Sequence, residues 1–205
     1  MNKSRILKIG AIAVGAMLMG SVLTACGAEK PQFDESTMRM VQLDLPKDDD
    51  EVAIITTSFG TIKMVLYPEY APNTVANFKA LVQEGFYNGK NVYGIEPDVA
   101  FLTGSEKEDG STGASTDGKL IKNEYHQNLW HIPGAVSAIS HKSGYGDSRF
   151  FINEKLEIDD ELAQRMEDAG YPDMVVKMYK KYGGIPGFDR QYTVFGQVYK
   201  GMSVV

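Results

Sequence analysis

The side chains of most chemical interest lie between Gly134 and Asn153, which reads Gly-Ala-Val-Ser-Ala-Ile-Ser-His-Lys-Ser-Gly-Tyr-Gly-Asp-Ser-Arg-Phe-Phe-Ile-Asn. The ends of this stretch look like two short strands joined by a loop rich in Gly and Ser. In the second strand, alternation sends Arg149 and Phe151 to one face and Phe150 and Ile152 to the other. If the latter pair is core, the former sets a cation beside a large ring. Such a pair can grip an apolar group and donate hydrogen bonds to it. Taken alone, the pattern also describes an ordinary core strand with one solvated Arg, the commoner case.

Other chemistries are poorly supplied. His126, His131 and His141 are scattered without the further ligand that a metal site requires, so neither metal nor cofactor is expected. No Ser/His/Asp arrangement is legible, and Cys26 is the sole cysteine. Gly104 to Gly118 is a run of Gly, Ser, Thr and acids. It lacks Gly-Lys-Ser/Thr, and Glu106, Glu108 and Asp109 would repel a phosphate.

The body that must hold these strands reads as mainly β. Val52–Thr57 and Thr61–Tyr67 flank Ser58-Phe59-Gly60, a hairpin signal, and Pro68 ends the second run because it has no N–H for a ladder. Pro72, Asn73 and Thr74 suit a helix start, Val75, Phe78, Leu81 and Val82 continue it, and Gly85 ends it. Val92 to Thr103 is strand-like with breaks at Gly94 and Pro97. Two sets of helically spaced residues follow: Leu162, Met166 and Ala169, then Val175, Met178, Tyr179 and Tyr182. They predict a helical insertion near 159–183. Tyr192 to Lys200 returns to strand. The pattern fits a closed antiparallel β-barrel with helices on its open ends.

The N-terminus has a different plan. Lys3, Arg5 and Lys8 precede an apolar run from Ile9 to Val22, and Leu23-Thr24-Ala25-Cys26 resembles the bacterial lipobox. Residues 1–25 are therefore expected to be a lipoprotein signal peptide. Cys26 would be lipidated and hold the protein to the extracytoplasmic face of the cell membrane, each buried CH₂ contributing about 0.8 kcal/mol. Residues 26–50, with two prolines and an acidic run, are expected to be a flexible tether, leaving 51–205 as the single domain. Without residues 1–25, whose three cations face no acid, the formal charge falls from -6 to -9. An acidic body excludes nucleic acid as a partner and adhesion to anionic lipid by charge.

The order of these pieces resembles the cyclophilin family of peptidyl-prolyl isomerases. Thr61 to Met64 and Ala71-Pro72-Asn73-Thr74-Val75-Ala76-Asn77-Phe78 are similar to the family's first hairpin and APxTVxNF helix start. Gly85-Phe86-Tyr87-Asn88-Gly89 resembles its GxYxG turn, and Gly134 to Phe151 its GxLSMAN…GSQFF segment. Tyr192 to Val198 with Gly201-Met202 resembles HxVFGxV…GM. The resemblance implies an eight-stranded barrel with two capping helices. It also implies catalysis of rotation about X-Pro bonds, whose barrier is about 18–20 kcal/mol. In the family the proline ring enters an apolar pocket while an Arg donates towards the prolyl nitrogen.

Carried over by that resemblance, Phe151 is the pocket floor, and Phe188 and Tyr192 stand for the pocket's Leu and His. With one inserted residue in Glu96-Pro97-Asp98, Phe101 stands for its Met and Thr103 for its Gln. Ile139 and Ser140 end the segment that matches Ser-Met-Ala-Asn. The catalytic FHR reads Val92-Tyr93-Gly94, so a Gly stands where the Arg belongs. Arg149, at the family's second Gln, is the one candidate to replace that donor. Three functions follow from this reading. The first is a monomeric surface-anchored isomerase of reduced activity, acting on proline-containing segments of unfolded exported proteins. The second is a non-catalytic module that binds proline peptides. The third, a ligand receptor on a lipid tether, rests on the N-terminus alone.

Overall fold

The computed structural model describes residues 32–205. The expected signal peptide, Cys26 and residues 27–31 of the tether lie outside the described residues.

β1 (Val52–Thr57) and β2 (Gly60–Leu66) form the expected hairpin. Thr57 closes it, its hydroxyl donating to Gly60 O at 3.0 Å and accepting from the Phe59 N–H at 3.1 Å. The other strands are β3 (Gly94–Glu96), β4 (Ala100–Thr103), β5 (Ile121–Lys122), β6 (Ala135–Ala138), β7 (Tyr145–Gly146), β8 (Phe150–Asn153) and β9 (Thr193–Lys200). Seven form one sheet in the order β1-β2-β9-β6-β8-β4-β3, every pair antiparallel. It curls around Ile62, Met64, Phe78, Phe150, Ile152 and Phe195. Gly196 lets β9 pass close to β2, since a side chain there would press on the Val65 carbonyl.

This sheet corrects the closed eight-stranded expectation. Among the described residues its edges β1 and β3 do not pair, and the two-residue strands β5 and β7 pair only with each other. Between the edges runs a groove of about 810 Å³, lined in part by Ile54, Phe59, Val82, Val92 and Phe101.

A single helix, α1 (Pro72–Gln83), covers the sheet's inner side among the described residues, with Val75, Phe78 and Leu81 inward. Its N-cap position, Ala71, has no side-chain acceptor. Glu124 supplies one from elsewhere, taking the Asn73 N–H at 3.1 Å and the Thr74 N–H at 2.9 Å. A carboxylate at that end also meets the positive pole of the helix dipole.

The insertion is two helices, α2 (Asp160–Asp168) and α3 (Asp173–Tyr182), with Asp159 accepting the Leu162 N–H at 2.7 Å. They share a satellite core with Trp130 and Met38. Met38 belongs to the stretch read as tether, and residues 32–43 in fact lie along the body. Phe33 packs on Trp130 with ring centroids 5.6 Å apart, and Gln42 hydrogen-bonds both the N–H and the carbonyl of Trp130. Phe33, Met38, Met40 and Val41 supply enough apolar surface to offset the ordering entropy that charge and proline content suggested would win.

Candidate functional site

Strand pairing decides which residues meet. Phe151 of β8 stands opposite Leu102 of β4, and Phe101 opposite Ile152. Cross-strand partners share a face, so Leu102 and Ala100 lie with Phe151, while Phe101 and Thr103 turn to the inner side. Phe101 belongs to the central core, and the Thr103 hydroxyl donates to Asn91 O at 2.9 Å. The places beside Phe151 expected of Phe101 and Thr103 are therefore taken by Ala100 and Leu102. The cause is the turn between β3 and β4. It closes tightly, with Val99 N–H on Glu96 O at 3.0 Å and Asp98 at φ 62°, and accommodates no extra residue. A slip of one residue exchanges the two faces of a strand.

Phe151, Phe188 and Tyr192 do come together, as expected. Phe188 sits in a one-turn 3₁₀ segment, Pro186–Phe188, and Tyr192 folds back with its N–H on Phe188 O. The centroids are 5.4 Å apart for Phe151–Phe188, 5.2 Å for Phe151–Tyr192 and 5.3 Å for Phe188–Tyr192, each pair near edge-to-face. Val99, Ala100, Leu102 and Ile185 complete the buried part, and Tyr93, Ile139 and Leu156 lie at its margin. The cluster is an apolar, aromatic patch with Phe151 at its floor, 3% exposed, and Tyr192 at its half-open edge. Tyr192 also borders a cavity of about 290 Å³, lined in part by Phe33, Tyr125, Asp189 and Arg190.

Ser140 stands beside Ile139, but its hydroxyl is committed to the Lys142 and Tyr145 carbonyls of the adjoining turn. Arg149 is likewise committed. Its Nε and Nη2 donate to the two oxygens of Asp147 at 3.0 and 2.6 Å, and Nη1 donates to Gly110 O at 2.8 Å. Arg149 is 6% exposed, and its guanidinium ties the 104–118 loop to the rim. Tyr93 packs against Gly110 beside it. Burial pushes the Tyr93 phenol up to about 12, with Arg149 pulling the other way, so it stays neutral near pH 7.

Gly94 faces Leu102, and a Cβ there would meet its Cδ1 at 3.4 Å, an ordinary contact at an ordinary backbone angle. Nothing in the backbone demands glycine here. The rim simply presents no side-chain donor from that position.

His131 and Asp189 are the partners that sequence reasoning missed. His131 is buried beneath Phe151 with the rings 17° from parallel, and its Nδ1 lies 2.8 Å from Asp189 Oδ1. The two residues are 58 positions apart, and no local pattern signals the pair. His126 instead stacks on Tyr70 with centroids 4.3 Å apart. Among the described residues no three His, Cys, Asp or Glu side chains gather as a metal site would need.

Residues 52–205 match the family model described as cyclophilin type peptidyl-prolyl cis-trans isomerase. A Staphylococcus saprophyticus protein named as a peptidyl-prolyl cis-trans isomerase is 31% identical over 161 residues, covering 78% of this chain and 82% of the relative. A Streptococcus pyogenes protein named for both phosphatase and peptidyl-prolyl cis-trans isomerase activity is 32% identical over 164 residues. The match covers 80% of this chain but only 35% of that longer protein. Among solved structures, a Cryptosporidium parvum cyclophilin type peptidyl-prolyl cis-trans isomerase superposes with a TM-score of 0.58 at 21% identity, covering 75% of this chain and 80% of that one. A second structure of it, in the presence of the dipeptide Ala-Pro, gives 0.56 at 22%, covering 74% and 80%.

Proposed function

Because the chain belongs to the cyclophilin-type peptidyl-prolyl cis-trans isomerase family, we propose that it rotates X-Pro bonds in exported or cell-surface proteins, with its proline pocket intact and its rate reduced. The observation that carries this reading is the Phe151–Phe188–Tyr192 cluster, an apolar aromatic patch of the chemistry that a proline ring packs against. The Cryptosporidium protein studied with Ala-Pro supports a proline-containing peptide as the ligand.

No covalent step is needed. A planar X-Pro amide is dipolar through resonance, and twisting removes the resonance and much of the dipole. An apolar pocket that excludes water holds the twisted amide at less cost than the planar one, which lowers the barrier. A donor aimed at the prolyl nitrogen would lower it further. Gly94 supplies none, and the absence of one preorganised donor typically costs about 10²–10³ in rate. That same glycine, with Arg149 held by Asp147, favours a second reading, a module that binds proline peptides without turning them over.

The protein acts as a monomer held at the extracytoplasmic membrane face by lipid on Cys26, the lipobox supporting that placement. A strand laid between the edges β1 and β3 would complete a closed eight-stranded barrel. A protease-coupled isomerisation assay on a proline peptide, with cyclosporin as competitor, separates the two readings. Turnover above the uncatalysed rate supports the isomerase. Peptide binding without turnover selects the module, and neither binding nor turnover sinks both.

A further inference from the structure

An aromatic pocket needs a backing that fixes the planes of its rings. Phe151 has two kinds of backing, the aliphatic side chains of its own cluster and a polar network centred on His131. His131 lies under the ring, with Phe188 and Tyr192 edge-on to the imidazole at 5.9 and 6.4 Å. An ionised carboxylate can only accept, so the Asp189 contact places a hydrogen on His131 Nδ1. Among the described residues His131 Nε2 is buried without a partner, which leaves Asp189 as the side-chain group that orients this ring.

Asp189 is itself held by the insertion. Tyr179, on α3 and fully buried, donates its hydroxyl to Asp189 at 2.8 Å and accepts the His131 backbone N–H at 3.0 Å. Tyr171, in the turn between α2 and α3, places its hydroxyl 3.1 Å from Asp189 Oδ2 and 2.9 Å from Pro186 O, its one hydrogen shared between the two acceptors. Burial first, then the charge of Asp189, raises both phenols, so each stays a donor at working pH. The next residue, Arg190, has φ 61°, a backbone state unfavourable for a side chain with a Cβ. Such a state persists where its surroundings hold it firmly.

We infer that the helical insertion positions the proline pocket: Tyr171 and Tyr179 hold Asp189, Asp189 orients His131, and His131 sets the plane of Phe151 and Tyr192. All four are assigned as positioning residues, acting through Phe151 and Tyr192 and not through their own contact with a peptide. The inference rests on the proline-pocket reading above, and it gives α2 and α3 a role that helices packed on an outlying core would otherwise lack.

The test compares the double substitution Tyr171→Phe/Tyr179→Phe with Met166→Ala. The latter loosens the same insertion core without touching Asp189. The double variant should lose about tenfold in kcat/KM, mostly through KM, since small misplacements of binding groups cost up to about 10²-fold. Met166→Ala, at an equal loss of Tm, should stay within about twofold of wild type. Equal kcat/KM in the double variant and wild type, or an equal drop in Met166→Ala, would overturn the inference. NMR provides a readout independent of activity. The His131 ¹⁵N resonances and the Phe151 ring resonances should change in the double variant and persist in Met166→Ala; unchanged signals in the double variant would also overturn it. A wild type that neither binds nor turns over a proline peptide defeats the functional proposal alone, because the NMR comparison still judges the network.

Discussion

Two buried polar networks flank the aromatic cluster, and they are built in opposite ways. At the rim, Arg149 and Asp147 are two residues apart and meet in a bidentate pair that adds the Gly110 carbonyl. Beneath the floor, Asp189 gathers His131, Tyr171 and Tyr179 from three other segments. The rim pair is available as soon as the β7–β8 loop turns, and its work is to hold the neighbouring loop. The floor network exists only when the insertion, the 129–134 segment and the turn after Phe188 are all in place. Proximity in sequence thus marks a local fastening here, and distance in sequence marks a coupling between parts.

Removing one partner from each network tests that contrast, and the rim should respond most in stability. Arg149→Ala leaves Asp147 buried and unpaired, a change that typically costs about 3–5 kcal/mol. Urea unfolding measures it, and a loss below about 1 kcal/mol would make the pair an ordinary surface contact. Turnover of the folded fraction should fall far less than in a variant that removes the catalytic donor of an active cyclophilin.

Adding a donor asks the converse question of the rim. Gly94→Arg has room beside Leu102, and it should raise kcat/KM by about 10–10²-fold if the pocket already holds proline correctly. No gain, with peptide affinity retained, would mean that the 104–118 loop blocks the approach.

At the floor, Tyr171→Phe removes one hydrogen bond of the several that Asp189 accepts. It should cost about 1 kcal/mol in stability, and no more, because Tyr179 and His131 still satisfy the carboxylate. A loss of several kcal/mol would mean that the network behaves as a single unit.

Titration should distinguish the networks least. Tyr93 is raised in the folded chain by burial to about 12, against about 10 when unfolded. The folded state holds that proton more tightly, so its contribution to stability is complete below about pH 10 and is lost between about pH 10 and 12. The urea midpoint should accordingly be flat from pH 7 to 9 and decline above 10. A decline already complete by pH 9 would show that Tyr93 is not buried as described.

Several features were legible in the chain because neighbouring residues produce them. The hairpin at Ser58-Phe59-Gly60, the helix opening at Pro72 and the two helices of the insertion follow from turn chemistry and periodicity. The gapless match from Gly134 to Phe151 picked out a residue that does cluster with Phe188 and Tyr192. Phe101 and Thr103 were misplaced because one assumed insertion at a tight turn is enough to exchange strand faces. The order in residues 32–43 escaped notice because a few apolar anchors, Met38 above all, outweigh a polar composition once a surface is present to receive them.

By itself the amino-acid sequence determined the family, the mainly β character, the helical insertion and the members of the aromatic cluster, because each is written in local pattern or in the order of motifs. Only the tertiary structure decided what Arg149 contacts, which residues of β4 join that cluster and what packs against Phe151. A charged side chain takes the nearest partner that folding brings to it, and for Arg149 and His131 those partners are Asp147 with Gly110, and Asp189. That choice is made by packing, after the strands have found their register.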